Sequence, residues 1–521
     1  MTIPKFLALA ALMASATASC AQNTPENAGQ RAPLNPHLQH RIGMNLSSNV
    51  DYSSQFAFAD LWRSARPWTP DNSHLNWPTT EDGTLVPPPG KVLDHYLLTD
   101  LRGWYPAGKY VITWQGEGEV EARKFNVKRE ISRGPGRLEI EIEPSNNALV
   151  VTIARSNPDN PIRDLHVWMP GTEDLKSVWN PAFLERLKGF EALRFMDFGE
   201  ANNSTLQKWS ERPKPSDARW NNHGVPLEIQ IELANTLETD AWFCVPHLAD
   251  DDYVREMARL IKANLKPEAK AYIELSNEIW NGMFAQSRYA EKRGVELGLD
   301  ANGFTAKLNW QARRSKEIFA IFDEVFGAER ENRVVRVLAG QAGNPWVAGQ
   351  LLSFENAGKS ADAIAIAPYF GHWFGDAANT EKVLAGGLDG LFEGLSRDVD
   401  GENLNLIKAH AKLARDNGLE LIAYEGGQHL SGTGGAENND KLTSLFHRAN
   451  TDARMKELYF RHHENWVKNG GGLYAAFAFV AIPSKWGSWG TLRYLDEPLE
   501  TAPKFAALRE ILDAQKGQTA K

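Results

Sequence analysis

The period of the hydrophobic positions changes several times along the chain. Residues 6–14 form an apolar run behind Lys5, far short of the ~20 residues that a permanent membrane-spanning helix needs. Ala16-Thr17-Ala18 then has the small-x-small form of a signal-peptidase site. Residues 22–40 are polar and Pro-rich and read as a tether. Residues 41–46 have the composition of a strand, and 56–62 that of a short helix. From 72 to 164 helical periodicity fades. Alternating runs at 109–114, 137–142 and 148–153, separated by Gly134-Pro135-Gly136 and Pro144-Ser145-Asn146-Asn147, predict a small antiparallel β domain.

Beyond residue 165, short apolar runs alternate with stretches of helical period. The strand-like runs are 193–197, 241–247, 271–275, 333–339, 361–367, 419–424 and 472–479. Helical stretches cover 253–262, 307–325, 406–417 and 502–514. With 41–46 this makes eight strands, the number that closes a (β/α)8 barrel. The fold class predicted is therefore α/β, a (β/α)8 TIM barrel with an inserted small antiparallel β domain. The chain divides into an export signal (1–21), a tether (22–40), the first barrel strand and helix (41–71), the insert (72–164) and the rest of the barrel (165–516). A doubly wound sheet is the alternative, weakened because no Gly-rich phosphate loop follows any strand.

Composition narrows the function. Of 521 residues, 42% are hydrophobic and 24% charged, which suits a folded chain with a large core. The net charge of −9 turns the reading away from nucleic acid. With only two cysteines, no disulfide framework is expected. Cys244 lies in an apolar strand and reads as a small buried hydrophobe. Cys20 has two readings: Thr17-Ala18-Ser19-Cys20 resembles a lipoprotein box, with Thr17 where Leu is usual, or cleavage falls nearby and Cys20 is incidental. Either way the protein is expected to be exported, whether periplasmic, extracellular or an outer-membrane lipoprotein anchored through Cys20. No later stretch is apolar enough to predict a membrane span. Trp, at 17, outnumbers Tyr, at 12.

Barrel active sites lie at the C-terminal ends of the strands. Those ends carry Arg194 and Asp197; His247, followed by Asp250, Asp251 and Asp252; Asn277-Glu278; Tyr369, with His372 and Trp373 behind it; Glu425, with Gln428 and His429 behind it; and Trp486 and Trp489. Two carboxylates among aromatic side chains, without a cofactor loop, suit acid/base and nucleophilic chemistry on a sugar.

Asn277-Glu278 at the end of the fourth strand and Glu425 at the end of the seventh resemble the pattern of the clan A retaining glycoside hydrolases. The segment Ser276-Asn277-Glu278-Ile279-Trp280-Asn281 is similar to one in secreted bacterial cellulase-like or "cellulose-binding" proteins. The resemblance implies that Glu278 is the acid/base, Glu425 the nucleophile and Asn277 a ligand of the sugar 2-hydroxyl. Arg194, His247, Tyr369, Trp486 and Trp489 stand where the clan has companions that bind substrate. It implies a β-glycoside hydrolase acting on an oligo- or polysaccharide, with no cofactor and no metal.

Each residue also has a structural alternative. Glu278 could complement a helix N-terminus, Glu425 could be a strand-end ion-pair partner, and Arg194 could neutralise a buried carboxylate; Glu274 is read as a structural carboxylate within its strand. His247 with the Asp run could hold a metal, although consecutive Asp residues more often cap a helix. His372 and His429 read as loop surface or as the lining of a subsite. Trp62, Trp68, Trp209, Trp220 and Trp280 read individually as packing. A polysaccharide-binding protein without activity, or a metal-dependent hydrolase, are the alternative functions.

Overall fold

The structure, a computed structural model, describes residues 40–123 and 126–519. The predicted export signal, Cys20 and the tether up to residue 39 lie outside the described residues. Strand β1 (Ile42–Asn45) is followed by eight strands of the insert: β2 (Arg66–Trp68), β3 (Leu93–Leu97), β4 (Gly108–Gln115), β5 (Gly118–Arg123), β6 (Val127–Gly134), β7 (Arg137–Ile142), β8 (Leu149–Ser156) and β9 (Arg163–Trp168). Then come β10 (Ala192–Arg194), β11 (Asp240–Val245), β12 (Ala271–Leu275), β13 (Val334–Ala339), β14 (Ala363–Ile366), β15 (Glu420–Ala423) and β16 (Gly471–Ala476). Strands β1 and β10–β16 pair in parallel, in chain order, and close on themselves. A parallel strand with helices outside and packed side chains inside is buried on both faces. This is why Ala363-Ile364-Ala365-Ile366 is an unbroken apolar run with every residue buried.

The insert follows a different rule. Its strands form two four-stranded antiparallel sheets, ordered β2-β3-β8-β5 and β6-β7-β4-β9. In β7, Leu138, Ile140 and Ile142 point inward while Arg137, Glu139 and Glu141 face outward. Leu97 and Val151 of one sheet and Ile112 and Ile140 of the other share one core, so the insert is a β-sandwich. Trp104 of the insert stacks on Tyr494 at 4.9 Å, and Arg102 donates to the Pro483 carbonyl. Ala218 N donates to Asp82 O at 2.6 Å. The sandwich thus leans on the loops that follow β10 and β16, both at the site end of the barrel.

Several boundaries differ from the sequence expectation. The predicted helix at 56–62 is a 3-10 turn at Leu61–Ser64, capped by Asp60, because Phe58 and Asp60 are drawn into bridges with Trp179 and Trp168. The strand expected to run to residue 197 ends at Arg194, where Gly199 N turns back to Phe195 O. The last strand ends at Ala476, not 479. The segment 371–403, outside the helical stretches read from the sequence, contains the helix Thr380–Asp400, with Val383, Leu391, Leu395 and Val399 buried. Gly386, Gly387 and Gly390 interrupt its apolar period, and Gly387 (φ 59°) kinks it. The insert has eight strands where three alternating runs were legible; β6, for instance, is almost wholly exposed and has no apolar stripe to read.

Candidate active site

Arg194, the last residue of β10, is fully buried and organises the barrel mouth. A guanidinium has five N–H donors, and here all five are engaged. Nε and Nη2 donate to Glu274 Oε2 at 3.1 and 2.9 Å, and Nη2 also to Asn277 Oδ1 at 2.9 Å. Nη1 donates to Asn45 Oδ1 at 3.0 Å and to Glu425 Oε1 at 2.9 Å. Glu274, in the middle of β12, also accepts the Trp242 indole N–H at 2.9 Å. It is a carboxylate held inside the barrel, as its place within the strand suggested.

After β12 the backbone turns sharply. Ser276 N still donates to Val245 O, but Ser276 (φ 57°) and Glu278 (φ 41°) are left-handed. Such a conformation costs a non-glycine residue of the order of 1–3 kcal/mol and tends to occur at functional sites. The turn is braced through Asn277, whose Nδ2 donates to Asn202 Oδ1 and whose carbonyl accepts from Gln286 Nε2. Glu278 then accepts from the Tyr424 hydroxyl at 3.1 Å and from Asn281 Nδ2 at 2.9 Å. The next helix begins only at Ala285, so Glu278 is not a helix N-terminal residue. Burial first, and the nearby Glu425 charge second, push the Glu278 carboxyl up to about 7, against the pull of Asn281, Tyr424 and Arg194.

Glu425 lies two residues beyond β15. One oxygen accepts from Arg194 and the other from the Tyr369 hydroxyl at 3.0 Å. Two donors on two oxygens suit an ionised carboxylate, which only accepts. Gly426 beside it is required by contact: a Cβ there would lie 2.3 Å from the Tyr474 hydroxyl oxygen.

Tyr369 is edge-on to Trp489 at 5.7 Å and to His429 at 5.5 Å, and those two rings meet at 4.9 Å. Trp489 donates its indole N–H to the Trp486 carbonyl, and the Trp486 ring lies under Lys485. His429 lines the aromatic wall beside Tyr369, with its ring held neutral because burial lowers it to about 3. Its Nδ1 is 3.4 Å from that of exposed His372.

The structure thus brings Arg194, Asn277, Tyr369 and Glu425 into one hydrogen-bonded cluster, to which Glu278 is tied through Tyr424 and Asn45, with Trp489 against Tyr369. His247 has other contacts. Its ring is edge-on to Tyr289 at 5.4 Å, its Nδ1 has no hydrogen-bond partner among the described residues, and burial lowers it to about 4. The Asp run is used elsewhere: Asp250 caps the helix Asp251–Asn264 and pairs with Lys208, and Asp251 pairs with Arg314. Among the described residues no three His, Cys, Asp or Glu side chains gather as a metal site would require. Trp62 and Trp220 are packed in the interior.

Three participants were given no role from the sequence: Tyr424 and Asn281 donate to Glu278, and Asn45 accepts from Arg194. Tyr424 adjoins Glu425 in sequence, and Asn281 lies three residues after Glu278, the reach of a tight turn; those spacings were the available signals.

No family model matches the chain, and no curated protein does. Among solved structures, a 4-O-α-L-rhamnosyl-β-D-glucuronidase from Fusarium oxysporum 12S is 13% identical over 64% of this chain and 62% of its own, with a TM-score of 0.37. A GH5-4 broad-specificity endoglucanase from Clostridium acetobutylicum is 12% identical over 64% of this chain and 90% of its own, with a TM-score of 0.38. An endo-1,4-β-D-mannanase from Thermotoga petrophila RKU-1 is 14% identical over 63% and 93%, with a TM-score of 0.33. The aligned part spans less than two thirds of the glucuronidase. These neighbours bear the names of glycoside hydrolases, at a similarity too low to carry an activity across. The class defined by the coordinates themselves is a closed (β/α)8 barrel with an inserted β-sandwich and two carboxyls at its mouth, Glu425 buried and Glu278 half-buried.

Proposed function

We propose that the protein is a retaining β-glycoside hydrolase acting on an oligo- or polysaccharide. The observation that carries this reading is the unequal treatment of two neighbouring carboxyls. Glu278 is raised to about 7, and Glu425 is held between two donors. A carboxyl raised toward neutrality beside one held by two donors has the makings of an acid and a nucleophile. In the first displacement Glu425 attacks the anomeric carbon while Glu278 passes its proton to the departing glycosidic oxygen. In the second, Glu278 takes a proton from water, the water oxygen attacks the same carbon, and Glu425 leaves. The Asn277 amide, with one N–H committed to Asn202, has the other for the sugar 2-hydroxyl, a contact that strengthens as positive charge develops on the ring. Trp489 offers a flat face for the C–H surface of a pyranose.

Arg194 has no donor left for substrate, so its part in this mechanism is to place Glu425 and Asn277. His247, Trp486 and Trp489 enter as candidate sugar contacts. We further propose that the chain is exported, on the strength of residues 1–21, with Cys20 as the point of lipid attachment if the lipoprotein reading holds.

The test is Glu425→Ala and Glu278→Gln against the wild type on a polysaccharide panel. Glu425→Ala should abolish hydrolysis. Glu278→Gln should lower it by about 10²–10⁴-fold, least on substrates whose leaving group needs no proton. Glycan binding without hydrolysis by the wild type would replace this proposal with a binding protein, and undiminished hydrolysis by both variants would refute the assignment.

A further inference from the structure

Under the proposed mechanism Glu278 gives up a proton and takes one back in every cycle, yet each of its oxygens faces a donor. The Tyr424 hydroxyl reaches Oε1 at 3.1 Å, and Asn281 Nδ2 reaches Oε2 at 2.9 Å. Two donors suit the ionised carboxylate, which only accepts. The protonated carboxyl has an O–H of its own to place, and its two partners differ in whether they can receive it.

Asn281 cannot. Its Oδ1 accepts the Met283 backbone N–H at 3.2 Å, and its own backbone N–H closes a turn onto the Glu278 carbonyl at 2.8 Å. The amide is thereby held with its nitrogen toward Glu278, and an amide nitrogen donates without accepting. This fixed N–H selects Oε2 as the carbonyl oxygen, the stronger acceptor of a neutral carboxyl, and leaves the proton to Oε1. Tyr424 can receive that proton's bond, because a hydroxyl donates or accepts by rotating its one hydrogen. The rest of Tyr424 is fixed. Its side chain is fully buried, its backbone N–H donates to Ile366 O at 3.0 Å, and its carbonyl accepts from Asn45 Nδ2 at 2.9 Å. The Arg194 guanidinium carbon lies 5.1 Å from the centre of its ring. Burial first, and then the charges of Glu278, Glu425 and Glu274, hold the phenol well above its ordinary range, so the hydroxyl keeps its hydrogen.

We propose that Tyr424 is the positioning residue for the proton of Glu278: Oε1 carries the proton, and the Tyr424 hydroxyl accepts from Oε1 while it is there and donates to Oε1 once it has gone. The inference rests on the glycoside hydrolase reading and goes beyond it by naming the oxygen that delivers the proton and the residue that controls it. In the first displacement the Oε1–H bond breaks and the departing glycosidic oxygen gains the proton. Tyr424 keeps its own hydrogen and turns it toward the new carboxylate. In the second, Oε1 takes a proton from water and Tyr424 turns back. The other charged or titratable groups that act on this pair are Glu425, Arg194, Glu274 and Tyr369.

The experiment is Tyr424→Phe in the full-length protein, which removes the hydroxyl and keeps the ring. The bond from Tyr424 to the ionised carboxylate is charge-assisted and stronger than its bond with the protonated form. Without it Glu278 should titrate at higher pH than in the wild type, read by 13C NMR with labelled glutamate and assigned through Glu278→Gln. On the polysaccharide that the wild type cleaves, kcat/KM should fall about tenfold and its alkaline limb should move to higher pH. The loss should be smaller on a dinitrophenyl glycoside of the same sugar, whose leaving group needs no proton. An unchanged Glu278 titration, or an equal loss on both substrates, overturns the inference and leaves Tyr424 a packing residue. If Tyr424→Phe fails to fold, 3-fluorotyrosine placed at Tyr424, a stronger donor, decides instead: Glu278 should then titrate at lower pH, and an unchanged titration overturns the inference. With Glu425→Ala inactive, the function would survive that failure. A wild type that cleaves no glycan would instead overturn the function, and the delivery step with it.

Discussion

Replacing Glu425 by Gln removes one negative charge from the mouth and keeps the shape. The Glu278 carboxyl stands at about 7 against an ordinary 4.5. That difference, 7 − 4.5, corresponds to about 3 kcal/mol at roughly 1.4 kcal/mol per pH unit. Burial is the larger cause and the Glu425 charge the next, while Asn281, Tyr424 and Arg194 act in the opposite direction. Glu425→Gln should therefore bring the Glu278 titration down, and leave it above an ordinary glutamate because burial, the larger cause, remains. The variant is inactive under the proposed mechanism, so the measurement is a carboxyl titration by 13C NMR with labelled glutamate, assigned through Glu278→Gln. In the active wild type the same group sets the alkaline limb: activity falls as pH rises through about 7 and the acid loses its proton. A Glu278 that titrates at the same pH with and without the Glu425 charge would refute the coupling. One that titrates near 4.5 in the wild type would refute the acid role.

Tyr369→Phe removes one of the two donors to Glu425 and should lower kcat by about 10–100-fold with little change in Tm, as kinetics and calorimetry would show. Arg194→Met leaves the carboxylates Glu274 and Glu425 buried without their cation. It should cost about 3–5 kcal/mol in urea unfolding, and a loss under 1 kcal/mol would contradict the role assigned to the ion cluster. Lys504 is buried, donates to the Ser488 carbonyl at 2.6 Å and is lowered to about 7 by burial. Its charged form is disfavoured in the fold, so its contribution to stability rises as pH climbs from about 7 toward the unfolded value of 10.5 and is lost as pH falls. Tm measured at pH 7 and pH 9 should show that dependence in the wild type and less of it in Lys504→Met.

The barrel was legible because its eight strands are buried on both faces and so appear as short unbroken apolar runs between helical stretches. Glu278, Glu425, Arg194 and Tyr369 were legible because strand ends place side chains at the mouth, and only charged or hydroxyl-bearing residues interrupt the apolar text there. The sandwich was half legible: β7 alternates cleanly, but β6 is exposed along its length and gives no period. Tyr424 stands at the strand end beside Glu425, but no local pattern tells that its hydroxyl turns to Glu278. Asn45 and Asn202 act through partners more than 70 residues away in sequence, Arg194 and Asn277, and no local pattern connects them. The helix Thr380–Asp400 was concealed because glycines broke its stripe, which only tertiary packing restores.

Two carboxyls at one barrel mouth can serve either stereochemical course, and the account stands on their acting as nucleophile and acid/base. The direct measurement is 1H NMR of the first-formed product, followed before mutarotation, on a β-linked glycan that the protein cleaves. A double displacement at Glu425 predicts release of the β-anomer. Release of the α-anomer would contradict the central claim and make Glu425 a base that activates water.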